Sequence, residues 1–204
     1  MSEWNEAVDS GEAASSDPRE SRPSFVKDVL DYIEIFVIAV CFVILLFSFG
    51  FRLCTVSGPS MENTLYNGEQ LIISDLFYTP KDGDVVVFHH LGNLNEPVVK
   101  RVIATEGEKV EIDYTSNSMI VTVTATDGSV RILDEPYMYY DQNHIFLRQD
   151  AEYVVGEGQV FVMGDNRNHS TDSRSKEIGM VDVRSILGKV LFRVAPLNRF
   201  GTVK

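Results

Sequence analysis

The feature that most constrains this chain is an apolar run close to its N-terminal end. Residues 35–51 contain no charged side chain, and in a helix they would extend roughly 25 Å at 1.5 Å per residue. A buried core helix would show polar positions along one face, and a cleavable signal peptide would be shorter and end in an Ala-x-Ala-like site. The run therefore predicts a single transmembrane helix, placed at 32–52.

The residues before this run predict its orientation. Residues 1–31 carry eight acidic and three basic side chains, and their polar composition is too poor in apolar groups to offset the entropy of ordering. We expect a disordered acidic tail. Its three basic residues precede the run and only Arg52 follows closely, so the positive-inside rule places the tail in the cytoplasm and residues 53–204 outside the plasma membrane.

Charge and cysteine content exclude several functions. The net charge of −12 offers no basic surface for nucleic acid. Cys41 lies inside the apolar run and Cys54 just after it, which gives neither a disulfide framework nor a metal cluster. We expect no cofactor and no metal.

The sequence pattern of residues 53–204, the part expected outside the membrane, predicts β-strands. Short runs rich in β-branched residues alternate with turn signals such as Asp127-Gly128, and no long segment has a helical apolar period. The predicted fold is mainly β, an antiparallel sheet or barrel with a smaller inserted β lobe at roughly 108–158. The predicted strands are Leu71–Ile73, Asp84–Phe88, Val98–Ile103, Lys109–Ile112, Met119–Thr124, Val130–Leu133, Gln159–Met163 and Ile186–Arg193.

Histidine chemistry is not favoured. His89, His90, His144 and His169 are not spaced as metal ligands in a His-Glu-x-x-His motif. The chain also has no Gly-x-Ser-x-Gly elbow for a Ser-His-Asp triad.

Three segments instead combine groups that could work together. Residues 56–61 read Val-Ser-Gly-Pro-Ser-Met, in which Gly58 and Pro59 fix a tight backbone that can project the Ser60 hydroxyl. Lys100 lies in an apolar strand, and residues 164–174 form a polar segment. A serine needs a base to become a nucleophile, and a lysine can be that base only when burial lowers its pKa by roughly three units from about 10.4.

These segments resemble the boxes of type I signal peptidases, the bacterial leader peptidases. The chain has Ser-Met after the apolar run, Lys-Arg-Val-Ile at 100–103, and Gly-Asp-Asn-Arg-Asn-His-Ser-Thr-Asp-Ser-Arg at 164–174. The resemblance covers the apolar run and nearly all of 53–204. It implies a membrane-anchored serine endopeptidase in which Ser60 is the nucleophile and Lys100 the general base.

The resemblance also implies supporting residues. Ser170 would orient Lys100 by a hydrogen bond, Asp165 would pair with Arg101, and Asp172 would pair with Arg174. The small side-chain pockets for the substrate would be surrounded by Val56, Met61, Leu65 and Val99.

The expected substrates are preproteins with signal peptides, cleaved after an Ala-x-Ala-like site. Ser60 lies nine residues after Phe51, so it can stand at most roughly 32 Å beyond the end of the span, near the height at which a signal peptide leaves the bilayer. The partners are therefore preproteins and the lipid bilayer, with the secretion translocon as a further candidate and no nucleic acid.

Some positions depart from the family pattern. Gly58 stands where some relatives carry a Ser or Thr that is thought to donate to the oxyanion, which leaves the second oxyanion donor unassigned. Asn63, Ala104 and Glu106 replace residues that are often Pro, Gly and Pro, which affects loop geometry.

Three other readings compete with a signal peptidase. A non-enzymatic single-pass β domain for adhesion or assembly would contain the boxes only incidentally. A self-cleaving repressor domain would normally carry a DNA-binding module, and a sortase-like enzyme would need a motif that Cys54 lacks.

Overall fold

The computed structural model describes residues 25–89, 97–114, 119–141 and 151–203. Most of the predicted tail, residues 1–24, lies outside them. The chain divides into two compact units, 1–43 and 44–204. The predicted apolar helix is present as α1, Phe25–Gly50. A search of the described helices finds none with the combined length and apolar character needed to cross a membrane.

Two antiparallel sheets follow the helix. Among the described residues the larger sheet has eight strands, which are β1 Arg52–Thr55, β2 Gln70–Ser74, β3 Val85–His89, β4 Pro97–Ala104, β9 Gln159–Met163, β10 Val181–Asp182, β11 Ile186–Ala195 and β12 Gly201–Thr202. The smaller sheet consists of β5 Lys109–Tyr114, β6 Met119–Thr124, β7 Val130–Ile132 and β8 Ala151–Val154. The larger sheet has the order β1-β2-β11-β3-β4-β9-β10, with β12 also paired to β11, and the smaller has the order β7-β6-β5-β8.

This architecture confirms the mainly β, antiparallel fold class with one helix. The eight predicted strands are all present, and β6 pairs with β7 across the turn at Asp127-Gly128. The short strands β1, β8, β10 and β12 were not predicted. The proposed division into tail, span and inserted lobe stays a prediction.

Three clusters of buried side chains form the core of the part of the chain that the structure describes. One covers the smaller sheet and includes Phe161 and Met163 from β9, so this strand contributes to the packing of both sheets. A second joins the loop after β1 to β2, β3 and β4, and a third packs against β3 and β9. Strands β3, β4 and β9 therefore lie between apolar layers, and polar groups on them are removed from water.

Gly188 permits a close approach between two central strands. It lies at a register shift in β11 with φ of 153°, and a Cβ there would stand 2.7 Å from the backbone carbon of Ser74. Gly201 has a similar φ of 158° but open space around its Cα. The two glycines therefore have nearly the same φ and differ in the space around the Cα atom.

Replacing Gly188 by Ala should destabilise the fold by about 2–4 kcal/mol, because the new methyl group meets backbone that cannot move aside. Gly201→Ala is the matched control and should cost about 1 kcal/mol, from backbone strain alone. Denaturant unfolding of both variants measures the difference. Equal losses would contradict the steric explanation.

Candidate active site

The loop that carries Ser60 is held at both ends by backbone hydrogen bonds. Val56 N donates to Glu69 O at 2.8 Å, and Gly68 N donates to Val56 O at 2.9 Å. Gly58 adopts φ of 84°, which favours glycine, and its N–H donates to Asn67 Oδ1 at 3.0 Å. A turn begins at Ser60 and leaves the serine half-buried. The hydroxyl is thus fixed by its loop while one side stays open to solvent.

Lys100 meets this hydroxyl from the centre of the larger sheet. Strand β4 is paired with β3 along residues 97–101, opposite Val86 at the lysine itself. The lysine is only 3% exposed. Its Nζ donates to Ser60 Oγ at 2.7 Å and to Val99 O at 3.1 Å. The side chain therefore spans from the sheet to the serine.

Burial dominates the electrostatics of this amine. Desolvation lowers the pKa of Lys100 from its ordinary value of 10.5 to about 8, although the charges of Asp172 and Asp165 act in the opposite direction. The charge of Arg174 lowers the pKa further. A substantial fraction of the amine is neutral at mildly alkaline pH, and a neutral amine within hydrogen-bond reach of a hydroxyl can accept its proton.

Residues 164–174 contact the backbone carbonyl of Ser60. Asn166 N donates to Ser60 O at 3.0 Å. A Cβ on Gly164 would stand 2.5 Å from Ser60 O and 2.6 Å from Ser170 Cβ. Only glycine fits at this position without displacing the backbone of the nucleophile loop.

The first buried ion pair joins this segment to β4. Arg101 follows Lys100, and its Nε and Nη2 donate to the two carboxylate oxygens of Asp165 at 2.9 and 2.7 Å. The two side chains are 2% and 0% exposed. Arg101 Nη1 also donates to Gly83 O at 2.8 Å, so the guanidinium is held on several sides.

The second buried pair lies within the segment itself. Arg174 Nε and Nη2 donate to Asp172 at 2.8 Å each. Burial alone would raise the pKa of Asp172, but the hydrogen bonds and charge of Arg174 hold it below its usual value. Ser170 Oγ donates to Asp172 at 2.6 Å. Among the described residues no hydrogen bond joins Ser170 to Lys100, so its orienting role stays a prediction.

The stretch that follows β7, which the sequence did not identify, also contacts this region. We name residues 134–141 the strap. Glu135 accepts from Arg167 at 2.5 and 2.8 Å, and both side chains are buried. The Tyr137 ring lies 3.8 Å from the Arg101 guanidinium carbon. Tyr139 N donates to Asp165 O at 2.8 Å. The positions 135 and 137 follow β7 in an acidic, aromatic stretch, which carries no motif that would have identified them.

The four residues predicted around the substrate pockets lie together. Val56, Met61, Leu65 and Val99 are each at most 8% exposed and belong to one buried cluster. In the sequence, Met61 follows Ser60 directly and Val99 precedes Lys100 directly. Their burial fits ordinary core packing as well, so their contact with substrate remains a prediction.

The described residues show no candidate metal centre beside the serine and the lysine. No group of three or more His, Cys, Asp or Glu within them could hold a metal ion. His90 and His144 lie outside the described ranges. His169 is hydrogen-bonded through its backbone N–H to Asn166.

A serine hydroxyl that is hydrogen-bonded to a buried lysine amine in a mainly β fold is an arrangement typical of a class of serine peptidases. Residues 29–195 match the family described as Signal peptidase, peptidase S26. The chain belongs to this family, and the recognition made from the three boxes is confirmed, as is its assignment as a peptidase.

Curated relatives agree with this family. The chain is 34% identical over 197 residues to signal peptidase IB of Staphylococcus aureus strain COL, covering 85% of this chain and 93% of the relative. It is 35% identical over 176 residues to signal peptidase I of Bacillus caldolyticus, covering 80% and 90%. A solved structure of a signal peptidase I from Enterococcus faecalis V583 aligns with 55% of this chain and 97% of its own, at 28% identity and a TM-score of 0.40.

Proposed function

We propose that this chain is a membrane-anchored endopeptidase that removes signal peptides from exported preproteins with a Ser60–Lys100 dyad. The single observation that carries the proposal is the 2.7 Å contact between Lys100 Nζ and Ser60 Oγ, made by an amine whose pKa is lowered to about 8. A nucleophile and a base within hydrogen-bond reach, with the base held by its surroundings, is the arrangement that covalent peptide hydrolysis requires.

In the proposed reaction, Ser60 Oγ attacks the scissile carbonyl carbon while neutral Lys100 takes the hydroxyl proton. The resulting tetrahedral oxyanion would be stabilised by the Ser60 backbone N–H. Collapse breaks the C–N bond, and the Lys100 ammonium gives its proton to the leaving amine. The products of this half-reaction are an acyl-enzyme ester and a free mature N-terminus. Water activated by the same amine then hydrolyses the ester and restores the serine.

The pairing of β4 supports binding of an extended substrate. Strand β9 pairs with β4 only from Arg101 to Ala104, whereas β3 pairs with β4 from Pro97 to Arg101. Within the described residues, the first half of β4 therefore has a ladder on one side only. A peptide strand could add beside residues 97–100 and the Ser60 loop by β-augmentation. The small-residue preference for Ala-x-Ala would then come from shallow pockets near Val99 and Met61.

Membrane anchorage through residues 35–51 is part of the proposal. Large apolar side chains of α1 such as Phe36, Phe42 and Phe47 are at least 60% exposed, and the run contains no charge. Apolar surface of this extent is costly in water. The excess of basic residues before the run favours a cytoplasmic N-terminus. A signal peptide and its peptidase would then meet at the outer face of one bilayer.

The dyad is tested by cleavage of a preprotein whose signal ends in Ala-x-Ala. Ser60→Ala and Lys100→Met should each lower kcat/KM by roughly a thousand-fold or more, because the nucleophile and base act as a unit. The isosteric methionine suits a buried site, so we expect the fold to survive, as circular dichroism would check. Ser57→Ala, in the same loop, and Lys109→Met, on β5, are matched controls with expected full activity. Undiminished cleavage by Ser60→Ala or Lys100→Met would reject the dyad.

The pH dependence tests the neutral amine. Since burial lowers the pKa of Lys100 to about 8, kcat/KM should rise nearly tenfold per pH unit below that value and level off above it. The rate rises with pH because only the deprotonated Lys100 amine can accept the proton of Ser60. Steady-state rates between pH 6 and 10 measure the profile. A midpoint close to 10.5 would mean that the amine is not desolvated in the working enzyme.

Anchorage is tested by alkaline extraction of membranes from cells that express the full chain. We expect the wild-type chain to stay with the membranes. A double Ile38→Asp, Phe42→Asp variant should be released, because charges in the apolar run are costly in hydrocarbon. Release of the wild-type chain would contradict the anchor while leaving the dyad proposal intact.

A further inference from the structure

Thr64 connects the serine loop with the segment that holds the lysine strand. The turn that begins at Ser60 ends at Thr64, and Leu65 N donates to Met61 O at 2.8 Å across it. The Thr64 hydroxyl donates to Asp165 Oδ2 in a short hydrogen bond. The same carboxylate accepts from Arg101, the residue after Lys100. Asp165 is 0% exposed, so one buried carboxylate holds the chain on both sides of the serine–lysine contact.

The carbonyl of Thr64 is held as well. Arg193 Nη1 donates to Thr64 O at 3.0 Å, and Arg199 Nη2 lies 3.4 Å from the same oxygen. Both arginines also pair with Glu69, which is 3% exposed. Arg193 reaches back to the Arg199 carbonyl at 2.5 Å. The end of the turn is therefore fixed through its hydroxyl and its carbonyl by two different parts of the chain.

Resting on the proposed dyad, we propose that Thr64 is a positioning residue that sets the distance between Ser60 Oγ and Lys100 Nζ through Asp165. It does not touch the reacting atoms. Thr64 lies four positions after the serine, and Arg101 is the residue next to the lysine. A carboxylate that both side chains share therefore limits how far the serine and the lysine can move apart. Productive proton transfer requires heavy-atom separations of about 2.6–3.2 Å, a range that a small displacement of the turn would exceed.

The consequences of losing the hydroxyl follow from geometry and solvation. A loosened turn would lengthen the contact between Ser60 and Lys100, and a displacement of about 1 Å can cost about a hundred-fold in rate. It would also admit water to the amine. Desolvation is the largest influence that lowers the pKa of Lys100, against the charges of Asp172 and Asp165 and together with that of Arg174. Hydration should therefore move the pKa upward.

The test compares Thr64→Val, which keeps the shape but removes the hydroxyl, with Thr64→Ser, which keeps the hydroxyl. In the full chain in detergent, Thr64→Val should lower kcat by about ten- to a hundred-fold with little change in KM. The midpoint of the pH–rate profile should rise from about 8 toward 10.5. Thr64→Ser should restore both values. A purely structural role would lower the active fraction without moving the midpoint.

A matched control exists in another turn. Thr105 is also half-buried, and its hydroxyl donates to the Glu108 carboxylate at 3.2 Å. Thr105→Val should leave kcat within twofold of wild type and the midpoint unchanged. Equal loss of activity in both valine variants, or a normal midpoint in Thr64→Val, would overturn the positioning role.

A direct titration separates this inference from the proposed function. The pKa of Lys100 can be followed in 15N-lysine-labelled protein, with Lys100→Met identifying the resonance. A higher pKa in Thr64→Val than in wild type supports the role of Thr64 even if the wild-type enzyme fails to cleave a signal-peptide substrate. An unchanged pKa overturns it even if cleavage by wild type is efficient.

Discussion

The burial of one lysine amine in the larger sheet is the constraint on which the site depends. An ammonium group removed from water is unfavourable, and the protein relieves this cost by favouring the neutral form. Lys100 is 3% exposed among apolar neighbours, and the contact with Ser60 gives the neutral amine a hydroxyl partner. The same desolvation lowers the pKa of the amine to about 8, which the proposed role as a base requires. Burial of the amine therefore lowers the stability of the fold while it favours the proposed chemistry. Contacts around Lys100 must offset that loss of stability.

Two buried ion pairs supply such contacts. Arg101–Asp165 and Arg174–Asp172 each have two hydrogen bonds between guanidinium and carboxylate, which is the geometry in which buried charges are best compensated. Their carboxylates also raise the pKa of Lys100 somewhat, and burial outweighs them. The pairs therefore hold the segments together at a modest electrostatic penalty to the base. Asp165 serves twice, because Thr64 shares its carboxylate with Arg101.

The sequence was informative where a signal is local. Eight strands were predictable from β-branched runs. Ser60 and Lys100 stood out only because their two segments occur together with residues 164–174, in the order that the family shows. Strands such as β10 and β12 are two residues long, too short to show a period. The contacts of Thr64, Glu135 and Tyr137 could not be predicted, because each depends on residues far away in the chain. A half-buried threonine in a turn has no pattern that reveals its partner.

The strap has a consequence for the newly made enzyme. Glu135 grips Arg167 and Tyr139 bonds to the Asp165 backbone, while the serine and the lysine come from segments 40 residues apart. The proposed catalytic pair can therefore be assembled only after most of the polypeptide has been synthesised and folded. A chain that has been made only as far as Lys100 lacks residues 164–174, which hold the serine loop and the lysine strand together. Under the proposed function, this order of assembly would keep the peptidase inactive while it is being made.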